Sequence, residues 1–290
     1  MARICSLIVN PTSGGYSPAK LHKVCAILES GGLVPEILLT KSPADVGEIS
    51  RRLCLEREEP LIAACGGDGT VNEVINGLEP EKATLAVLPL GTANVLAKEL
   101  GIASLEEAAK RIVRGKTRPL TVGILEAEEI RRRFLLMAGI GLDGAIVRGV
   151  RAAEKRIFGK GAYLLSAWRR LREWNGDRLE VTIGDRSVDC HSAVVCNATH
   201  YGGAFLLAPG AELFAPQFRV VCVLAGSRRA YLRLAFALVR GKVPENRDLA
   251  IFTATALSVS GSKAIQVDGD FCCHAPARIV ARGSFARMIV

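Results

Sequence analysis

The sequence predicts an α/β chain of two domains, an amino-terminal α/β/α domain followed by a β-rich sandwich domain. Three observations predict it. Up to residue 118, short aliphatic runs alternate with amphipathic stretches, the pattern of a parallel sheet covered on both faces. Beyond that point strand-like runs dominate and only two longer helical stretches intervene, which suits an antiparallel sandwich or barrel. The chain has 290 residues, 49% of them hydrophobic, enough for one large or two medium cores. The boundary falls near residue 119, giving domains 1–119 and 120–290, with no low-complexity linker and no internal repeat.

In the first domain, strands are expected at 3–9, 35–39, 61–65 and 84–88, with helices at 19–29, 43–58, 71–78 and 93–100. Ser42 before Pro43 reads as a helix cap with a first-turn proline, and Thr70-Val-Asn-Glu73 and Ser104-Leu-Glu-Glu107 read as capping boxes. In the second domain, strands are expected at 119–125, 134–140, 179–183, 192–197, 218–224, 250–255, 257–259, 264–267 and 278–281. Helical stretches fall at 159–174 and 227–239.

Composition narrows the function. Charged residues are 23% and aromatic residues 5%, which excludes a disordered, collagen-like or coiled-coil chain. The nine cysteines are odd in number, contain no C-x-x-C pair and follow no basic-then-apolar leader. Reduced thiols in a cytoplasmic protein are therefore expected rather than a disulfide framework. Cys5, Cys65, Cys196 and Cys222 lie in apolar runs, where a thiol behaves as a small buried hydrophobe. No apolar stretch reaches the roughly 18–20 residues that a membrane span needs.

The formal charge of +9 is not evenly spread. Residues 1–110 hold 10 Lys+Arg against 14 Asp+Glu, residues 111–172 hold 15 against 5, and residues 173–290 hold 13 against 10. The excess sits in a middle segment with Arg131, Arg132, Arg133, Arg148, Arg151, Lys155, Arg156, Lys160, Arg169, Arg170 and Arg172. Such a cluster suits an anionic membrane surface or phosphorylated ligands, or is simply a solvated helix face. Aromatic residues for base stacking are scarce and no nucleic-acid motif occurs, so no nucleic-acid partner is expected.

Chemistry concentrates in Cys65-Gly66-Gly67-Asp68-Gly69-Thr70-Val71-Asn72-Glu73, which follows a strand and opens a helix. Three glycines in four positions let the backbone turn sharply and approach a ligand, and the open amides of a helix start favour phosphate. The spacing and the missing Lys exclude both the Gly-x-x-x-x-Gly-Lys loop and the dinucleotide fingerprint. Asp68 would repel phosphate unless Mg²⁺ bridges the two, which points to metal-assisted phosphoryl transfer; an Asp-Gly turn joining strand to helix is the structural alternative. For Glu73 a capping role has equal standing. A second loop, Leu88-Pro-Leu-Gly-Thr92-Ala-Asn94, also lies between strand and helix, as do Asn10-Pro-Thr-Ser-Gly14 and Thr40-Lys-Ser42. In a parallel sheet all four emerge at the carboxyl edge, where open α/β folds bind ligands. Thr92 or Asn94 also suits a helix cap.

Taken in order, Asn10–Gly14, Gly66–Glu73, Pro89–Asn94, Ala138-Gly-Ile-Gly141, Gly203-Ala-Phe-Leu-Leu-Ala-Pro209 and Val267-Asp-Gly-Asp270 resemble the diacylglycerol kinase catalytic family, which includes bacterial soluble lipid kinases and sphingosine kinases. The resemblance spans nearly the whole chain. It implies an amino-terminal nucleotide-binding domain of the phosphofructokinase and NAD kinase type, a carboxy-terminal sandwich whose last segment returns to the first domain, ATP bound between them, and Mg²⁺. It also implies nucleotide contacts at Asn10, Thr40, Gly66, Gly67, Asp68, Gly69, Thr70, Val71, Asn72 and Thr92, with Asp68 as catalytic and metal-binding residue. The acidic residue closing the family's Asp-Gly-Glu motif, the base for the substrate hydroxyl, is Asp270 here, one methylene shorter. As plain sequence, Asp268-Gly269-Asp270 suits a hairpin turn and, equally, a loop at the edge of a cleft. Two further departures are Val95, where relatives often carry Asp, and Ala215, where a structural-metal carboxylate has no counterpart.

The resemblance implies an ATP-dependent lipid kinase acting on a diacylglycerol-like or sphingoid hydroxyl, cytoplasmic and peripheral on the inner membrane face. The segment 158–174 is expected to pack against the sandwich, with Arg169, Arg170 and Arg172 facing water or headgroups; docking of that segment on lipid is the alternative, and the basic 111–172 region offers a peripheral membrane contact. The competing functions are an NAD kinase, which shares Gly-Gly-Asp-Gly, and a nucleotide-binding pseudoenzyme or regulator. His191, His200 and His274 show no metal spacing and receive no role.

Overall fold

A computed structural model describes residues 3–151, 154, 161–173, 176–202, 205–241 and 248–290. They divide into two compact units, residues 1–122 with 282–290 and residues 123–281. Lys155, Arg156, Phe158, Lys160, Trp174, Gly203 and Ala204, singled out above, lie outside the described residues.

The first unit alternates β1 (Arg3–Val9), α1 (Pro18–Ser30), β2 (Leu33–Leu39), α2 (Pro43–Glu56), β3 (Leu61–Gly66), α3 (Asp68–Gly77), β4 (Thr84–Pro89), α4 (Val95–Glu99) and α5 (Leu105–Arg114) before entering β5 (Thr117–Ala127). The strands run parallel in the order β2-β1-β3-β4. β3 is buried along its whole length, as a central parallel strand covered on both faces requires. Residues 282–290 return here at the end of the chain. Arg287 and Met288 pair parallel with Thr84 and Leu85, and Ile289 joins the core of Cys5, Leu7, Leu88 and Ile112.

Local signals account for most boundaries. Ser17 and Ser42 cap α1 and α2 ahead of a first-turn proline, and Asp45 completes a capping box with Ser42. Ser104 caps α5 by accepting from the Glu107 amide, while the Glu107 carboxylate reaches one residue past the cap to the Ala103 amide. The capping box expected at Thr70–Glu73 is not formed. α3 starts at Asp68, its cap is Gly67, and no side chain satisfies that end. The run expected as one strand over 134–140 is two, β6 (Ile130–Phe134) and β7 (Met137–Ile140). The Leu135 and Leu136 amides between them bond to the Asp268 carboxylate instead of a neighbouring strand.

The second unit continues with α6 (Leu142–Arg148), α7 (Gly161–Arg172), β8 (Leu179–Ile183), β9 (Arg186–Cys190), β10 (Ser192–Cys196) and the short pair β11 (His200–Tyr201) and β12 (Phe205–Leu206). It then runs through β13 (Phe218–Val223), α8 (Arg228–Val239), β14 (Leu249–Ala254), β15 (Ala256–Ser260), β16 (Ala264–Val267), β17 (Asp270–His274) and β18 (Ala277–Ile289). One antiparallel sheet has the order β14-β13-β10-β7-β16-β17. Facing it, the first residues of β18 pair with β15, β15 with β8, and β8 with β9. Residues of both sheets fill one core, among them Ala138, Val181, Cys190, Val195, Val220, Leu257 and Ile279, with Phe134 stacked on Phe218 at 5.7 Å.

Candidate active site

The registers Val9↔Leu39, Val9↔Cys65 and Gly66↔Pro89 bring four strand ends to one edge of the parallel sheet. The loops that follow are laced together by backbone. Asn10 N donates to Cys65 O at 3.0 Å, Thr40 N to Val9 O at 3.0 Å, Leu90 N to Gly66 O at 2.9 Å and Gly15 N to Leu90 O at 2.8 Å. Glycine is required where the two central loops meet. A Cβ on Gly91 would stand 2.4 Å from Gly67 Cα, and one on Gly66 would stand 2.3 Å from the Thr70 hydroxyl. A Cβ on Gly69 would meet nothing within 4 Å, so the first turn of α3 has open space beside it.

Asp68 is fastened at this edge. Its two carboxylate oxygens accept from Val95 N and Leu96 N, each at 3.0 Å. It thus caps α4 from another loop, doing what Asn94 does not. Asn94 adopts left-handed backbone (φ 46°) and braces Gly91 instead, accepting from Gly91 N at 2.9 Å and donating to Gly91 O at 2.8 Å. Val95, which departs from the Asp that relatives often carry there, offers an amide to Asp68 and buries its side chain.

The other expected nucleotide residues divide by what they leave available. Asn10 accepts from the Thr12 amide and hydroxyl and donates to Thr70 Oγ1 at 3.4 Å. Thr40 is buried and donates its hydroxyl to Val9 O. Thr92 is exposed on the second loop. Val71 gives its side chain to the core and its amide to Gly67 O, and Asn72 is buried with Asn76 donating to it. Gly66, Gly67, Gly69 and Thr70 make the turn from β3 into α3, and Val71 and Asn72 are buried in the helix that follows. Lys20, passed over in the sequence, donates from Nζ to Gly15 O at 2.8 Å and brings a cation to the first loop. Its only sequence signal was a place two residues after the helix-opening Ser17-Pro18.

In the second unit the Asp-Gly-Asp motif forms the β16–β17 hairpin, with positive φ at Asp268 and Gly269. The two acids differ completely. Asp268 accepts from Leu135 N at 2.7 Å, Leu136 N at 2.8 Å and Met137 N at 3.0 Å. Asp270 is exposed, and its carboxylate has no hydrogen-bond or ion-pair partner among the described residues. The Gln266 side chain accepts from Gly269 N and donates to Asp143, a buried acid that also accepts from the Tyr201 hydroxyl. Burial pushes the Asp143 carboxyl above its ordinary range, against the pull of those two donors. Gly139 makes room for it, since a Cβ there would stand 1.6 Å from Asp143 Oδ2. The sequence signal for Asp143 was its place two residues after Gly141, opening a helix.

Among the described residues no cluster of three or more His, Cys, Asp or Glu side chains is arranged to hold a metal ion. Asp68 is the acid within this glycine-lined turn. Each of its oxygens is left a lone pair after accepting one amide, so it fits Mg²⁺ as a single ligand beside nucleotide phosphates rather than as part of a protein cage.

Residues 5–125 match the diacylglycerol kinase catalytic domain, and residues 137–289 match the YegS C-terminal NAD kinase beta sandwich-like domain. The chain belongs to the diacylglycerol kinase catalytic family. A diacylglycerol kinase of Bacillus subtilis is 28% identical over 283 residues, covering 94% of this chain and 92% of its own. The solved structure of a diacylglycerol kinase from Bacillus anthracis has a TM-score of 0.75 at 21% identity, covering 99% of this chain and 96% of that one. An NAD kinase from Archaeoglobus fulgidus, solved with ATP, has a TM-score of 0.52 at 13% identity over 98% of this chain, a likeness of fold alone.

Membership of this lipid kinase family makes the chain a phosphotransferase. Among the described residues no helix is long and apolar enough to cross a membrane. The arginines expected to face water or headgroups also have partners within the protein: Arg169 forms an ion pair with Glu154 at 2.5 Å and donates to Gly149 O, and Arg170 pairs with Glu173 at 2.8 Å. Arg172 lies over the Trp168 ring at 4.6 Å. All nine cysteines are free thiols, eight of them buried.

Proposed function

We propose that the chain transfers the γ-phosphate of ATP to the hydroxyl of a diacylglycerol-like or sphingoid lipid. The observation that carries this reading is the Gly67–Gly91 crossing beside the uncapped start of α3, a backbone cradle with open space for phosphate. Gly66, Gly67, Gly69 and Thr70 receive the phosphates, and Asn10, Thr40 and Thr92 line the flanking loops. Asp68, oriented by the Val95 and Leu96 amides, offers its remaining lone pairs to Mg²⁺, which supplies neutralisation of phosphate charge. Asp270 takes the proton as the lipid oxygen bonds to phosphorus and the bond to ADP breaks. Its exposed carboxylate suits that task, because nothing described competes for its lone pairs.

The family resemblance and the match to the catalytic domain support lipid over NAD as acceptor, since the NAD kinase likeness is one of fold only. The test is radiolabelled ATP with Mg²⁺ offered separately to diacylglycerol, to sphingosine and to NAD. Label in a lipid phosphate is expected; label in NADP alone overturns the reading. ATP binding with no transfer to any acceptor supports a nucleotide-binding regulator instead. We further propose that the enzyme works at the membrane surface, where such a substrate resides.

A further inference from the structure

The helix α8 is amphipathic in the wrong sense for a buried element. Of its twelve residues, Ala230 alone is buried, while Leu232, Phe236 and Val239 are 58%, 57% and 69% exposed. Their spacing of four and three residues places them on one face. Single exposed hydrophobes are ordinary, but an aligned stripe marks a surface that meets something apolar. The opposite side is pinned: Tyr231 Oη lies 2.7 Å from His191 Nδ1 and donates to Ser192 Oγ at 2.7 Å, so the stripe is held outward.

Charge identifies the occupant. α8 and its cap carry Arg228, Arg229, Arg233 and Arg240, and no acidic residue lies between 225 and 241. The Arg240 guanidinium sits 4.1 Å from the Phe236 ring centroid, a cation at the rim of the stripe. Arg233 pairs with Asp248 at 2.7 Å. Arg228 donates to Arg172 O at 3.1 Å, which joins the start of α8 to the end of α7, where Trp168 is 55% exposed beneath Arg172. A second copy of the chain docking stripe to stripe would set arginine against arginine. An anionic bilayer accepts both parts, apolar side chains below the headgroups and arginines among them. Twelve residues span about 18 Å, too short to cross a bilayer, so the helix lies in its plane.

We infer that α8 is the element that seats this protein on an anionic membrane, with Leu232, Phe236 and Val239 entering the interface and Arg229 and Arg240 contacting headgroups. This rests on the lipid-kinase reading only for its purpose, and its test is independent of turnover. The full chain is sedimented with vesicles of phosphatidylcholine alone and of phosphatidylcholine with 30% phosphatidylglycerol, alongside L232S/F236S and R229E/R240E, each shown to keep the wild-type urea midpoint. Binding to the anionic vesicles is expected to fall at least about tenfold in both variants, and wild-type binding to fall with added salt. In F236W, brominated lipid is expected to quench more fluorescence than in wild type. Unchanged vesicle binding in both variants overturns the inference, as does a wild-type dimer that L232S/F236S converts to monomer. Vesicle binding through α8 without lipid phosphorylation would sink the functional reading and leave this one standing.

Discussion

Asp268 and Asp270 are two residues apart in one hairpin, and exchanging each tests whether geometry or motif decides its role. Asp268 holds three backbone amides at 2.7, 2.8 and 3.0 Å. Hydrogen bonds to a charged group contribute about 1.5–3 kcal/mol each, and a buried amide left bare costs about 1–3 kcal/mol. The three bonds share one carboxylate that is half-buried, so they are not additive and water relieves part of the loss. Asp268→Ala is therefore expected to cost about 3–5 kcal/mol, with Asp268→Asn between it and wild type because one amide oxygen remains to accept. In urea, with a slope of about 2–3 kcal/mol per molar, the midpoint of the unit containing residues 123–281 should fall by about 1–2 M. Asp270→Asn should leave that midpoint within about 0.5 kcal/mol of wild type, as for an exposed substitution, while lipid turnover falls about 100-fold or more. An Asp268→Ala midpoint indistinguishable from wild type would show that the three bonds carry no net stability. Undiminished turnover in Asp270→Asn would remove it as the base.

Gly91→Ala should raise the KM for ATP at least about tenfold with the fold retained, because its Cβ would stand 2.4 Å from Gly67 Cα and push the two loops apart; nucleotide titration checks it. Arg57 pairs bidentately with Glu36, which also accepts from Ser6, and holds the Glu36 carboxyl below its ordinary value of 4.5. A depressed folded value means stability present above pH 4.5 and lost as pH falls through the folded value, so Arg57→Ala should cost about 1 kcal/mol at pH 7 and progressively less in acid, as followed by urea melts. Asp143 has the opposite sign: its raised carboxyl contributes most below its ordinary value of 3.8, and that contribution fades as pH rises through the folded value. The difference between wild type and Asp143→Asn should therefore shift toward the variant with rising pH. A thiol reagent should label native protein at Cys272 first and the other cysteines only on unfolding, since burial pushes the Cys5 thiol up to about 12 and raises Cys65 as well.

Features with short-range causes were legible in the sequence. Alternating aliphatic runs placed β1 and β3 to within a residue, serine caps placed α2 and α5, and glycine spacing marked the tight turn from β3 into α3. What could not be read were carboxylates whose partners are remote in sequence. Asp68 looked like a charge in need of a metal because its neighbours are glycines, yet its oxygens are met by amides 27 and 28 residues away. Only the family motif separated Asp268 from Asp270 in the sequence; the physical difference comes from the gap between β6 and β7, more than 130 residues earlier, which claims Asp268. The basic segment shows the same limit of formal charge. A sum of formal charge counts Arg169 and Arg170 fully, although each is matched by a glutamate, and it passes over α8, where arginines border an apolar face. Local chemistry in this chain thus nominates the groups, and long-range hydrogen bonding decides which keep lone pairs or charge for a ligand. By that criterion Asp270 keeps all its lone pairs open, Asp68 keeps one on each oxygen while aimed by α4, and Asp268 belongs to the fold.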